Sequence, residues 1–161
     1  MTTSLINIQP GPGIYSLLLH LEISYENCIA ELIDNSFDNF DLNSINNGQV
    51  HITFEKEKNY LIFRDNGKGL NLNDLEKSLQ AATSDKNRIN YKGLYGVGFN
   101  IAMSKLSTKT EIFTKTEKDK NWLSCVYDPN QIKKQGNFNI EVNYNKIPPI
   151  ENNLISDNSG L

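Results

Sequence analysis

The stretch S-Y-E-N-C-I-A-E-L-I-D-N-S-F-D-N, residues 24 to 39, has the residue spacing of a long amphipathic helix, with Ser24 as its N-cap. At about 100° of rotation per residue, Glu31, Asn35 and Asp38 fall at positions i, i+4 and i+7, within roughly 40° of one another. The apolar side chains spread over the opposite side, at Ile29, Leu32, Ile33, Phe37 and Phe40. The stretch therefore predicts a helix that buries one face and turns two carboxylates and an amide toward a common space.

This polar face carries groups suited to metal-assisted hydrolysis of a phosphate ester. The Glu31 carboxylate can accept a proton from water, and the amide oxygen of Asn35, one turn further on, suits a hard cation. The same pattern is also typical of an ordinary surface helix whose acidic residues are solvated. The helix alone therefore leaves both interpretations open.

Length and composition favour one intracellular domain. A chain of 161 residues can bury one core and is too short for two domains of ordinary size. The net charge of −3 provides no basic footprint for nucleic acid, and no segment approaches the apolar length of a membrane span. Cys28 and Cys125 lack metal-ligand spacing, which favours a reduced, cytoplasmic protein.

Regular elements are predicted on both sides of the central helix. A Pro-Gly-Pro-Gly turn at residues 10 to 13 precedes a short predicted helix at residues 14 to 21, and Leu72 to Ala82 predicts another helix. Alternating apolar residues predict a strand at 50 to 54, and apolar or β-prone runs bounded by turns predict strands at 60 to 63, 108 to 116, 122 to 127 and 138 to 144. This order indicates an α+β two-layer sandwich, with helices packed on one face of a mixed, mostly antiparallel sheet.

The sequence D-N-G-K-G at residues 65 to 69 directly follows a predicted strand. Gly67 and Gly69 allow the backbone to turn sharply and to approach a ligand closely. A carboxylate fixed at a strand end, such as that of Asp65, can accept a hydrogen bond from an exocyclic amine such as that of adenine. A tight turn capped by an aspartate has the same local sequence, so this motif alone also leaves two interpretations open.

A second glycine-rich segment, K-G-L-Y-G-V-G-F-N at residues 92 to 100, leads into a predicted helix. Such a segment can bind an anion, because free N–H groups and the positive end of the helix dipole point to the same place. It is not a P-loop, since Phe99 and Asn100 stand where Lys and Ser or Thr are required, and it lacks the dinucleotide G-x-G-x-x-G pattern. The polar stretch at residues 83 to 88 is interpreted as a mobile lid over a ligand.

Three motifs thus follow one another: E-L-I-D-N-S-F-D at 31 to 38, D-N-G-K-G at 65 to 69 and G-L-Y-G-V-G-F at 93 to 99. Together they resemble the GHKL ATPase superfamily, the group of gyrase B subunits, Hsp90, MutL and sensor histidine kinases. The resemblance covers roughly residues 10 to 145 and is strongest to Hsp90-like and MORC-type ATPases. It implies the Bergerat fold, with ATP and Mg²⁺ as ligands.

The resemblance also implies roles for individual residues. Glu31 matches the general base that activates the attacking water, and Asn35 matches the Mg²⁺ ligand that bridges the cation to the phosphates. Asp38 corresponds to a polar position beside the base. Asp65 matches the carboxylate that recognises the adenine amine.

The two glycine-rich segments receive their roles from the same resemblance. Gly67 and Gly69 match glycines that shape the adenine pocket. Lys92 and Lys86 are both candidates for a lysine that binds phosphate. The segment that closes over the phosphates is matched by Gly93, Tyr95, Gly96, Val97, Gly98 and Phe99.

The expected organisation is a nucleotide-binding domain at residues 1 to 145 and a loop or tail at residues 146 to 161 that leads toward a further strand or domain. Family members commonly carry a Gly-Thr pair opening a late strand, whose Thr contacts phosphate. This sequence has Ser159-Gly160-Leu161 where such a strand would begin. Many relatives also need a following domain and dimerisation for full turnover. Binding of Mg-ATP is therefore a firmer expectation than hydrolysis by these residues alone.

Three functions remain open from the sequence. The first is an ATPase module in which closure of residues 83 to 98 is coupled to a homodimer, a C-terminal domain or a protein partner. The second is a non-catalytic module that senses nucleotide. The third, a histidine-kinase-type phosphotransferase, is disfavoured because no phospho-acceptor helix pair lies upstream and the last motif lacks the G-x-G-L-G-L form. Nucleic acid is expected only as an indirect partner, and no membrane association is expected.

Overall fold

Helices and antiparallel strands alternate along the part of the chain that the computed structural model describes, namely residues 22–80, 98–137, 139–144 and 148. These residues form α1 (Tyr25–Leu42), β1 (Val50–Glu55), β2 (Tyr60–Asp65), α2 (Leu72–Leu79), α3 (Gly98–Leu106), β3 (Thr110–Thr114), β4 (Leu123–Tyr127), α4 (Pro129–Gln135) and β5 (Val142–Asn143). The helix predicted at residues 14 to 21 and the lid predicted at 83 to 88 lie outside the described residues.

Helix α1 begins and ends with side-chain hydrogen bonds. Ser24 is its N-cap, with extended backbone, and the Ser24 hydroxyl oxygen accepts a hydrogen bond from the Asn27 N–H at 3.2 Å. At the other end, the backbone N–H and the side-chain amide of Asn43 both donate to the carbonyl of Asn39. The predicted helix is confirmed, and it extends to Leu42. The predicted burial is wrong in part: the buried side chains are those of Cys28, Ser36 and Phe40, whereas Phe37 is 54% exposed.

Strands β1 and β2 form the predicted antiparallel hairpin. Val50 lies opposite Asp65, and Glu55 lies opposite Tyr60 across a turn in which Asn59 has a φ of 53°. Because side chains alternate between the two faces of a strand pair, Val50 and Asp65 share one face. Asp65 is buried there at the end of β2, with only 5% of its surface exposed.

A second antiparallel group, β3-β4-β5, packs against helices in the hydrophobic core. Thr110 pairs with Tyr127 between β3 and β4, and Ser124 pairs with Asn143 between β4 and β5. The core combines side chains from α2, α3, this sheet and α4: Leu75, Leu79, Ile101, Met103, Ile112, Cys125, Tyr127 and Ile132. This packing of helices on antiparallel strands confirms the α+β fold class.

Helix α4 is a helix that the sequence prediction missed. Asp128 is its N-cap and accepts a hydrogen bond from the Gln131 N–H at 2.9 Å, while Pro129 occupies the first turn. Gly136 ends the helix in the left-handed conformation, with a φ of 68°. Among the described residues of the strand predicted at 138 to 144, β5 comprises residues 142 and 143, which pair with β4.

Candidate functional site

The polar face of α1 meets the N-terminus of α3. Glu31 is half-buried, and its carboxyl group lies against Gly98, the first residue of α3. A Cβ placed on Gly98 would overlap this carboxyl group and would lie 2.8 Å from Cγ of Glu31. The fold therefore brings together the end of the second glycine-rich segment and the carboxylate on the central helix.

The surroundings of Glu31 disfavour its charged form. Burial raises the pKa of this carboxyl group above its ordinary value, and the negative charges of Asp34 and Asp38 raise it further. Asp38 therefore acts on Glu31 electrostatically, as its position on the same helix face implies. A carboxylate with a raised pKa binds a proton more strongly, which makes it a better base for a water molecule at neutral pH.

The helix α3 that the structure describes begins at Gly98, so its first backbone N–H groups lie beside Glu31. The first four N–H groups of a helix have no partner within the helix, and the helix dipole makes this end positive. Gly98 and Phe99 lie in this turn. The ring of Phe99 packs against the hydrophobic core, so the backbone is the part of Phe99 that an anion could contact. The other predicted residues of this segment, Lys86, Lys92, Gly93, Tyr95, Gly96 and Val97, lie outside the described residues.

Asp65 is held through both of its carboxylate oxygens. The hydroxyl of Ser36 donates to Oδ2 at 3.1 Å, and the N–H of Gly67 donates to Oδ1 at 2.7 Å. A carboxylate oxygen carries two lone pairs and can in general accept more than one hydrogen bond. A buried carboxylate with a fixed direction can recognise an amine of a planar base.

The backbone after Asp65 is anchored to two other elements. The side-chain oxygen of Asn39 on α1 accepts from the N–H of Lys68 at 2.9 Å, and the hydroxyl oxygen of Thr114 at the end of β3 accepts from the N–H of Leu70 at 2.7 Å. Gly69 has a φ of 70°, a conformation that other residues rarely adopt. This short loop therefore has one defined path between α1 and the second sheet.

Helix α1 joins the two halves of the candidate site. Glu31 on α1 faces the start of α3, and Ser36 on α1 contacts Asp65. Glu31 and Ser36 are five positions apart, which corresponds to about 7.5 Å along a helix axis. A ligand with an amine-bearing base at one end and an anion at the other could contact both places.

Two of these positions were missed in the sequence analysis. Ser36 and Asn39 each bond to residues 29 positions away, so no local pattern reveals their partners. Asn100 on α3 is wholly buried, and its side-chain amide donates to the carbonyl of Ser78 at 3.3 Å. In the sequence, the position of Asn100 directly after Gly98-Phe99 was the feature that could have marked it as part of the site.

Three further observations concern the described residues. Within the described ranges, no group of three His, Cys, Asp or Glu side chains could hold a metal ion. Cys28 and Cys125 are buried free thiols, and burial raises the pKa of both, that of Cys125 to about 11. Neither thiol therefore has the lowered pKa of a cysteine nucleophile. No described helix is long and apolar enough to cross a membrane.

Comparisons with known proteins agree with this geometry. Residues 23–160 match the model of a family described as histidine kinase-, DNA gyrase B- and HSP90-like ATPase. MORC family CW-type zinc finger protein 3 of Mus musculus is 37% identical over 92 residues, which cover 54% of this chain and 9% of that protein. Protein MICRORCHIDIA 1 of Arabidopsis thaliana is 30% identical over 94 residues, 55% of this chain and 14% of the relative.

The matched segment thus spans only a small part of these two relatives, whereas the family model covers most of the chain. The predicted resemblance to GHKL ATPases of the MORC type is confirmed. The chain belongs to the family of histidine kinase-, DNA gyrase B- and HSP90-like ATPases.

Proposed function

We propose that this chain is a Mg²⁺-dependent ATP-binding module that hydrolyses ATP with Glu31 as the general base. One observation carries the proposal: α1 holds Glu31 against the N-terminus of α3 and, through Ser36, also fixes Asp65. These two contacts of α1 support a site in which Asp65 recognises the base and the start of α3 binds the phosphates.

In this proposal Asp65 selects the base. Its carboxylate accepts a hydrogen bond from the exocyclic amine of adenine, while Ser36 and the Gly67 N–H hold the carboxylate in one orientation. Guanine presents a carbonyl oxygen at the corresponding ring position and would be repelled. Gly67 and Gly69 keep the pocket free of side chains.

Glu31 carries the hydrolytic step. It accepts a proton from the attacking water, and its raised pKa favours that transfer near neutral pH. The N–H groups at the start of α3 bind phosphate oxygens beside it. Mg²⁺ usually binds through one or two protein oxygens together with phosphates and water, which suits the exposed amide of Asn35 one turn from Glu31. The bound cation would offset the charge of the phosphates.

The remaining parts of the proposal concern the larger protein. We infer a nucleotide-binding domain at residues 1 to 145, closure of residues 83 to 98 over the phosphates, and coupling of that closure to a homodimer or to a further domain. The small share of the relatives' length that is matched supports a multidomain setting. The two buried free thiols support an intracellular location.

Glu31→Gln tests the hydrolytic part of the proposal. The variant should bind a non-hydrolysable ATP analogue with the affinity of the parent, while phosphate release from ATP falls at least about 100-fold. Glu26→Gln, at the exposed start of the same helix, serves as the control and should release phosphate at the parent rate. Equal rates for Glu31→Gln and the parent would refute the general-base role. ATP binding without phosphate release by the parent would favour the nucleotide-sensing alternative.

Asn35→Ala tests the metal role separately. Its loss of ATP affinity should be large with Mg²⁺ and small in the presence of a chelator, because the side chain is proposed to touch the cation. An equal loss under both conditions would contradict the assignment.

A further inference from the structure

We propose that Asn39 is a positioning residue for adenine recognition, acting through the backbone that follows Asp65. This inference rests on the proposed ATP site and names a side chain that determines how selectively the site accepts adenine. Asn39 lies on α1 three residues after Ser36, so two neighbouring positions of the helix face the same loop.

Asn39 and Asp65 hold two consecutive backbone amides. The N–H of Gly67 donates to Asp65 Oδ1 at 2.7 Å, and the next N–H, that of Lys68, donates to Asn39 Oδ1 at 2.9 Å. A Cβ on Gly67 would lie 2.7 Å from each of these two oxygens. Gly67 therefore sits between the two side chains, and its backbone has little freedom to rotate.

The orientation of the Asp65 carboxylate depends on this arrangement. One of its oxygens is bonded to Ser36, and the other is bonded to the Gly67 N–H, whose direction follows from the path of the loop. Asn39 defines that path one residue later. Without its acceptor, the Lys68 N–H loses its partner and the glycine-rich turn gains conformational freedom. The Asp65 oxygen that meets the adenine amine then no longer has a fixed direction.

The test compares Asn39→Leu with Asn43→Ala. Leucine has a similar volume and no acceptor, whereas Asn43→Ala removes a 2.8 Å hydrogen bond to the Asn39 carbonyl and leaves the loop untouched. Calorimetric titration of the full chain with non-hydrolysable ATP and GTP analogues gives Kd and selectivity for the folded protein. Hydrogen exchange at the Lys68 amide reports on the loop, and thermal melting reports on stability.

We expect Asn39→Leu to weaken ATP binding about tenfold and to reduce the preference for ATP over GTP by a similar factor. The Lys68 amide should exchange faster in this variant, while Asn43→Ala should lower only Tm. If Asn39→Leu lowers Tm but keeps the Kd and the selectivity of the parent, Asn39 only stabilises the fold. The inference is then overturned, while the proposed ATP site stands. If the parent itself shows no adenine-selective binding, the proposed function fails and the inference fails with it.

Discussion

At the scale of single residues, Ser36 on α1 is one of the groups that hold the Asp65 carboxylate. The buried Ser36 hydroxyl has a single proton to donate, and its oxygen lies 3.1 Å from Asp65 Oδ2 and 3.3 Å from the carbonyl oxygen of Leu32. Hydrogen bonds to charged groups contribute about 1.5 kcal/mol or more, which corresponds to about tenfold in a binding constant. We therefore expect Ser36 to influence ligand binding as well as packing.

We expect Ser36→Ala to weaken binding of an ATP analogue about tenfold, because Asp65 Oδ2 loses its fixed donor. Isothermal titration measures this change. Ser124→Ala removes another buried hydroxyl, in β4 and away from the site, and serves as the matched control. Equal affinities for Ser36→Ala and Ser124→Ala would show that the hydroxyl does not orient the carboxylate.

Gly98 is a second residue at which a contact, here with Glu31, leaves no room for a side chain. A methyl group at this position would meet the flexible end of the Glu31 side chain, which can move aside. Gly98→Ala should therefore fold with a stability within about 1 kcal/mol of the parent. Phosphate release should fall about 100-fold, because the base is displaced from its position. A folded Gly98→Ala protein with the parent turnover rate would contradict this reading of the contact.

The raised pKa of Glu31 has a consequence for stability. Between the ordinary pKa and the raised one, the folded state binds more protons than the unfolded state, so the free energy of unfolding falls as pH rises through that window. Glu31→Gln should remove this fall and should be more stable than the parent above the window. Urea unfolding at a series of pH values measures the slope.

Glu26 provides a control of opposite sign. Hydrogen bonds from its own backbone N–H and from Ser24 lower the pKa of Glu26, so its contribution to stability is lost as pH falls. Glu26→Gln should reduce the loss of stability at low pH. It should leave unchanged the fall in unfolding free energy that Glu31 causes at higher pH. If the unfolding free energy of Glu31→Gln depended on pH as in the parent, the burial of Glu31 would have no influence on folding stability.

At the scale of elements, local sequence predicted α1, the β1-β2 hairpin and the starts of α2 and α3 because their signals are short-range. An N-cap, strict alternation and glycine followed by an apolar helical run are all contained within a few residues. The hydrogen bonds of Ser36 and Asn39 to the Asp65 loop join residues 29 positions apart in the sequence. They form only because the fold brings α1 close to this loop. The candidate site was predictable as a set of motifs, whereas its internal hydrogen bonds were not.

Helix α4 shows the opposite case, in which local signals were present but short. Its seven residues contain a single well-buried aliphatic side chain, Ile132, so helical periodicity is weak. The N-cap aspartate, the proline and the final glycine were the usable signals. Asp128→Ala should therefore destabilise the protein by about 1 kcal/mol in urea unfolding, with no change in ATP affinity. A loss of affinity would connect α4 to the nucleotide site, contrary to this account.

At the scale of the whole molecule, the order of elements in the sequence predicts the α+β class. It does not predict that the described strands form two separate antiparallel groups. The Asp65 loop bridges them in the described part of the chain, since the Leu70 N–H donates to Thr114 at the end of β3. The same loop carries the proposed base-recognition group. If the proposal is right, ligand recognition and the connection between the sheets depend on the same short segment.

The most direct test of the central claim is calorimetric titration of this chain with a non-hydrolysable ATP analogue, with and without Mg²⁺, beside a GTP analogue and the Asp65→Ala variant. The account predicts Mg²⁺-dependent binding that prefers adenine and is largely lost in Asp65→Ala. Binding that is equal for both nucleotides, or that survives Asp65→Ala unchanged, would contradict the assignment of Asp65 and the site built around α1.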